Sequence, residues 1–241
     1  MLLYCTIKFA ICQLFCAIHF ELILKSVTIF SKYGGMMKVQ QVISDNLESN
    51  VFVVTEKGEA LIIDAGARLE EVEKAVMKNR VVGILLTHGH YDHCFYVLEY
   101  AKKFNCPVIT EVHGIKTMGD PKLNYSESIS IKADSHFVKI SRDEDINLGH
   151  FVIHAFMTPG HSPCGVSYLI GNDLFAGDTV FYRGIGRTDL AGSDEKKMLE
   201  SLKKIMGIKF KTLHSGHSLD STWEEQQRNL GAYIRFLSRK N

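Results

Sequence analysis

The run Val81-Val82-Gly83-Ile84-Leu85-Leu86 passes directly into Thr87-His88-Gly89-His90-Tyr91-Asp92-His93. Its first half is apolar without alternation, as expected of a strand covered on both faces. Its second half gathers three imidazoles and a carboxylate into residues 88–93. Such a density is costly unless a cation neutralises it, and neutral His nitrogens with a carboxylate suit zinc or a similar borderline metal. On an extended chain His88 and His90 point the same way. Asp92 and His93 fall where the chain enters a helix, and so can address a second point.

Further candidate ligands stand where strands are expected to end. His161 lies in Thr158-Pro159-Gly160-His161-Ser162, just past a strand predicted at Phe151–Met157. Asp178 lies in Phe175-Ala176-Gly177-Asp178-Thr179, where small residues let the backbone come close to a site. His217 lies in Ser215-Gly216-His217-Ser218, after a strand predicted at Phe210–Leu213. Together these supply seven ligands: His88, His90 and His161 for one metal, Asp92, His93 and His217 for another, and Asp178 between them. His113, His136, His150, His154 and His214 lack a partner pattern and are assigned surface or supporting roles. Cys94 and Cys164, though beside candidate ligands, read as buried thiols.

Outward from this cluster, apolar runs alternate with amphipathic stretches from residue 37 on. Strands are expected at Val39–Ile43, Val51–Thr55 and Ala60–Ile63, then at Pro107–Thr110, Val166–Ile170 and Asp173–Ala176. Arg68–Asn79 reads as a helix with Leu69, Val72, Val76 and Met77 on one buried face. Asp92–Phe104 reads as a second helix and Asp194–Met206 as a third. Residues 114–147 read as a long loop with short strands. Ser221 or Thr222 caps a final helix through about Leu237, with Glu224 and Glu225 in its first turn favouring the dipole. The chain is of the α/β (α+β) class.

Residues 1–36 differ from the rest. Among the first 35, 23 are apolar and only Lys8, Glu21, Lys25 and Lys32 are charged, and they include three of the six cysteines. Gln13, His19, Glu21 and Lys25 interrupt any continuous membrane span. These residues are read as an extension outside the fold: a mis-start upstream of Met36-Met37, a signal or an anchor. Without them 25 basic residues face 26 acidic ones. That balance argues against a nucleic-acid partner. Residues 37–241 are then one domain, with Cys94, Cys106 and Cys164 as reduced cytoplasmic thiols.

The HxHxDH run and the later PGH, GD and GH elements, in this order, resemble the metallo-β-lactamase-fold hydrolases from residue 38 to about 220. Within that superfamily Asp120–Ser126 (DPKLNYS), His161–Gly165 and Phe175–Asp189 (FAGDTVFYRGIGRTD) are similar to the glyoxalase II-like branch. The resemblance implies an αββα four-layer sandwich of two mixed sheets flanked by helices. It implies two zinc ions, with iron or manganese as alternatives, and hydrolysis of a small thioester such as a hydroxyacylglutathione by a metal-bridging hydroxide. Asp92 would be both ligand and catalytic orienter of that nucleophile, and Asp64 would steady the site without being a ligand. Arg187 matches a basic position that contacts the thiol carrier. Aspartate at 178, where the β-lactamases of the superfamily carry Cys or Ser, disfavours antibiotic hydrolysis. The chain departs from the glutathione-specific enzymes in two respects. It lacks room for their helical C-terminal domain, and Ser218-Leu219-Asp220 stands where they have an aromatic residue. Two rival functions remain: a mononuclear-iron persulfide dioxygenase, in which His88, His161 and Asp178 hold the iron, and a catalytically idle binding protein on the same fold.

Overall fold

The computed structural model of the chain describes residues 26–28 and 37–240. Its first part runs β1 (Ser26–Thr28), β2 (Lys38–Ile43), β3 (Asn50–Glu56), β4 (Glu59–Ile63), α1 (Leu69–Val76), β5 (Arg80–Leu85), α2 (Tyr91–Cys94), α3 (Val97–Phe104), β6 (Val108–Glu111), α4 (Gly114–Gly119) and β7 (Phe137–Ile140). These strands form a seven-stranded sheet in the order β1 to β7. It is antiparallel as far as β4 and parallel from β4 to β7. The second part runs β8 (Glu144–Leu148), β9 (Phe151–Met157), β10 (Val166–Ile170), β11 (Asp173–Gly177), β12 (Val180–Phe181), β13 (Gly184–Ile185), α5 (Glu195–Met206), β14 (Thr212–Ser215), β15 (Ser221–Thr222) and α6 (Trp223–Lys240). Six of these strands form a second mixed sheet ordered β15-β14-β11-β10-β9-β8, and β12 and β13 pair as a separate hairpin.

Alternation along the strands sorts the apolar side chains into three cores. Val51 and Val53 of β3 pack with Ile62, Ile84 and Val108 against Val72, Val76, Val97 and Tyr100 of α1 and α3. The intervening residues Phe52 and Val54, with Leu61, Ile63 and Leu85, meet Phe151, Ile153, Tyr168 and Phe175 of the second sheet. Leu174 and Ala176 face the other way, onto Met198, Leu202 and Ile205 of α5 and Leu230 and Leu237 of α6. The result is the expected four layers, helix, sheet, sheet, helix. Two bonds staple the sheets at one edge. The buried Tyr168 hydroxyl donates to the Leu86 carbonyl at 2.9 Å, and the Val166 amide donates to the Thr87 carbonyl at 2.8 Å. Both anchors immediately precede His88.

Several expected elements are corrected. The helix expected at Arg68–Asn79 is only Leu69–Val76. Met77 adopts φ 57° and is exposed instead of joining the buried face. The helix expected at Asp92–Phe104 is two, α2 and α3. The Ala65 amide donates to the His93 carbonyl at 2.6 Å and the Tyr96 amide to the Ala65 carbonyl at 2.9 Å, which diverts the helical ladder there. The short strands expected within 114–147 are β7 and the start of β8, which edge different sheets, but the stretch also opens with the helix α4. The strand expected at Phe210–Leu213 begins at Thr212, where its parallel register with Asp173 starts. Phe210 instead packs edge-on against Trp223. Thr222, not Ser221, caps α6: its Oγ1 accepts from the Glu225 amide, and Glu225 Oε2 accepts from the Thr222 amide.

Of the extension read at 1–36, Ser26–Thr28 pair antiparallel with Lys38–Gln40; the rest of that reading lies outside the described residues. Among the described residues no helix is long and apolar enough to cross a membrane.

Candidate metal centre

The seven expected ligands converge at one edge of the sandwich, where β5, β9, β11 and β14 all end. His88, His90 and His161 form one group of buried donor atoms, His88, His93 and Asp178 a second, and Asp92, His93 and His217 a third. Within each group the atoms lie within 4.8 Å of one another. His90 Nδ1 is 3.0 Å from His161 Nε2, and His93 Nε2 is 3.2 Å from His217 Nε2. Asp178 stands between them. Its Oδ2 is 3.4 Å from His161 Nε2 and 3.5 Å from His217 Nε2, and its Oδ1 is 3.4 Å from His93 Nε2. Asp92 Oδ2 is 3.2 Å from His217 Nε2 and 3.4 Å from His93 Nε2.

Residues behind this cluster fix which nitrogen faces inward. Asp64 Oδ2 accepts from His93 Nδ1 at 2.9 Å. Asp64 also accepts from the Thr87 amide at 2.7 Å and the Thr87 hydroxyl at 2.8 Å. It reaches them from a left-handed backbone, φ 64°. His161 Nδ1 donates to the Arg187 carbonyl at 3.1 Å, leaving Nε2 for the centre. Gly216 lets the chain pass close by, since a Cβ there would lie 2.0 Å from Asp178 Oδ1.

Burial pushes His88 well below its ordinary pKa, aided by the neighbouring His93 and His90. Burial beside His161 pushes His90 down to about 3, and burial lowers His161 as well. Burial would lower His93 too, but the Asp92 and Asp178 carboxylates raise it well above its usual value. Burial likewise opposes ionisation of Asp178, yet His93 holds it well below the carboxylate range. Asp92 is lowered in the same way, burial being outweighed chiefly by His93. Around the ionised carboxylates, His88, His90 and His161 are therefore neutral, while His93, and His217 beside Asp92, are held toward the charged form, whose proton a bound cation would displace. His88 Nε2 and Asp178 Oδ1 are buried without a hydrogen-bond partner. Buried polar atoms are normally satisfied, so these residues fit divalent metal ions. Cys94 and Cys164, neighbours of His93 and His161, are buried thiols that burial pushes up, Cys94 well up. That makes neither a ready thiolate ligand.

The Arg187 side chain lies apart from the cluster, paired with Asp189 at 2.9 Å and exposed. Its contact with the centre is the backbone carbonyl under His161. The sequence reading missed Ser49 and Asn50. The Ser49 hydroxyl donates to the Asp92 carbonyl at 2.6 Å. Asn50 Nδ2 donates to the Ser215 and Ser218 carbonyls at 2.9 and 3.1 Å, on either side of His217. Their one signal, two small polar residues opening an apolar strand, is shared by ordinary turns. His214, given no partner from the sequence, is fully buried between Asp173 and Asp220.

The probable metallo-hydrolase YqgX of Bacillus subtilis (strain 168) is 32% identical over 193 residues, 76% of this chain and 92% of that protein. The crystal structure of BLEG-1, described as a B3 metallo-β-lactamase, matches with TM-score 0.75 and 29% identity over 81% of this chain and 99% of its own. The structure of TTHA1623 in a di-iron-bound form matches with TM-score 0.68 and 25% identity over 78% and 97%. The family model for the metallo-β-lactamase superfamily matches residues 45–217. That span carries both sheets' shared edge and all seven converging side chains, and the chain belongs to the metallo-β-lactamase superfamily.

Proposed function

We propose that the protein is a hydrolase holding two zinc ions, of the glyoxalase II-like branch, acting on a small thioester such as a hydroxyacylglutathione. The observation that carries this reading is Asp178, ionised and buried, with Oδ2 within 3.5 Å of a nitrogen from each of two three-residue groups. Such a carboxylate could serve two neighbouring cations. His88, His90 and His161 would hold one ion and Asp92, His93 and His217 the other. Two bound divalent ions would supply Lewis acidity, lowering the pKa of water toward about 7 and stabilising an oxyanion at the attacked carbonyl.

The chain's own residues orient and hold. Asp92, kept ionised beside His93, can hold a metal with one oxygen and accept a hydrogen bond from the attacking water with the other. Asp64 keeps the His93 proton on Nδ1, so that Nε2 stays a donor to metal. The Tyr125 ring stands edge-on to His90, with centroids 5.1 Å apart, but its hydroxyl is turned to the backbone of Ala191. The hydroxyl is thus committed to the backbone and is not a ready proton donor, which suits a thiolate, since that departs without a proton. A cytoplasmic setting fits Cys94, Cys106 and Cys164, which are buried and free.

The test is metal content and turnover of S-D-lactoylglutathione by the full chain. Two zinc ions per chain and turnover abolished by His88→Ala are expected. One iron with oxygen uptake on a persulfide would replace the reading with the dioxygenase. Opening of a cephalosporin without thioester turnover would replace it with β-lactam hydrolysis, the chemistry named for BLEG-1.

A further inference from the structure

Three titratable groups outside the centre form a buried bridge. Asp173 opens β11, the strand that delivers Asp178; His214 lies in β14, three residues before His217; Asp220 lies three residues after it. His214 Nε2 is 2.9 Å from Asp173 Oδ1, and His214 Nδ1 is 3.0 Å from Asp220 Oδ1. The His214 and Asp173 side chains have no exposure. The imidazole stacks on Phe175, with centroids 4.7 Å apart at 18°, and tilts against Phe52 at 5.0 Å. Both aromatics belong to the core between the sheets.

A neutral imidazole donates from one nitrogen only. His214 Nε2 hydrogen-bonds with Asp173, while Nδ1 faces Asp220 Oδ1 at ion-pair distance without hydrogen-bond alignment. Carboxylates against both nitrogens favour the doubly protonated ring, which then carries the positive charge between two acids. Asp173 Oδ2 is buried without another partner, so that ring is its counter-charge. A buried ionic group of this kind is a poor source of stability, since an apolar set of similar volume often does as well or better. What it supplies is a fixed geometry. The bridge ties both ends of the segment 215–220, which carries His217, to the strand that carries Asp178. Within that segment the Ser215 hydroxyl donates to the His217 carbonyl at 2.5 Å, and Ser218 holds a left-handed φ of 65°.

We infer that His214, clamped between Asp173 and Asp220, is a positioning residue that sets His217 for metal and so controls one of the two metal sites selectively. The inference rests on the two-metal reading above. On that reading the bridge supports the Asp92–His93–His217 group and leaves the His88–His90–His161 group to its own anchors, Thr87 and the Arg187 carbonyl.

The experiment is zinc titration of the full chain, stripped with a chelator, against a competing chromophoric chelator. Wild type is compared with Asp220→Asn, Asp220→Ala and His214→Phe, and Asp145→Ala serves as a control that breaks the exposed His154 pair. Asp220 is partly exposed, so its variants remain folded even where His214→Phe does not; circular dichroism checks this. The expected result is one site weakened roughly tenfold to a hundredfold, more in Asp220→Ala than in Asp220→Asn, with the other site within about twofold of wild type. Hydrogen exchange at residues 215–220 should quicken in the stripped Asp220 variants. Folded variants that keep both affinities, or lose both equally, overturn the inference while wild type still binds two ions. Wild type binding fewer than two ions would overturn the two-metal reading, and the inference with it.

Discussion

The charge on His214 has a consequence measurable without metal. Burial would lower the pKa of this ring, but the carboxylates of Asp173 and Asp220 against its two nitrogens raise it from the ordinary 6.5 to about 9. These two, one from β11 and one from the segment before β15, are the acids that face it. A rise of that size favours the charged ring in the folded state by about 3 kcal/mol, at about 1.4 kcal/mol per pH unit. Because the folded value is the higher one, the contribution is complete below about pH 6.5. It falls steadily as the unfolded chain gives up its proton, and is gone above about pH 9. The assay is urea unfolding of the chelator-stripped full chain across that range, for wild type and His214→Gln. The wild-type advantage should shrink by about 3 kcal/mol between pH 6 and pH 9.5, a change well beyond the error of linear extrapolation. Titrating cysteines and other histidines are common to both proteins and cancel in the difference. A difference that stays flat across the range would refute a charged ring between two acids.

Two further outcomes follow from the geometry of the centre. Gly216→Ala puts a Cβ 2.0 Å from Asp178 Oδ1 and 2.9 Å from His93 Cε1. It should cost about 1–3 kcal/mol in urea unfolding and reduce zinc content, whereas Gly119→Ala, whose Cβ meets nothing closer than 3.8 Å, should do neither. Asp64→Asn offers His93 an amide in place of a carboxylate and lets the ring place its proton on Nε2. Zinc affinity at the Asp92–His93–His217 site should fall roughly tenfold or more, and an unchanged binding isotherm would show that Asp64 does not set the tautomer.

Much of the centre was legible because its chemistry is local. His88, His90, Asp92 and His93 occupy six residues behind a fully apolar strand, so their identity and their shared edge are written together. His161, Asp178 and His217 could be added because each follows a run that reads as a strand, and strands of a layered sheet end along common edges. Element limits were less legible. Arg68–Asn79 and Asp92–Phe104 both carry helical periodicity, but Met77 turns out of the first. In the second, Ala65 takes the backbone bonds of His93 and Tyr96.

By itself, then, the sequence determined the α/β class, most of the longer strands and helices and the inventory of metal donors, because periodicity and residue type act over short spans; the four-layer arrangement came only through the family resemblance. Only the tertiary structure decided which groups stand behind those donors. Asp173 reads as the first residue of a strand, His214 as a histidine without a partner just past another, and Asp220 as part of the segment after His217. They meet because β11 and β14 run parallel, pairing Asp173 with Thr212 and Phe175 with His214, so that the His214 ring reaches Asp173 diagonally although 41 residues separate them. The cost of burying an unpaired charge is what requires such partners to exist. No local pattern in the chain says where they come from.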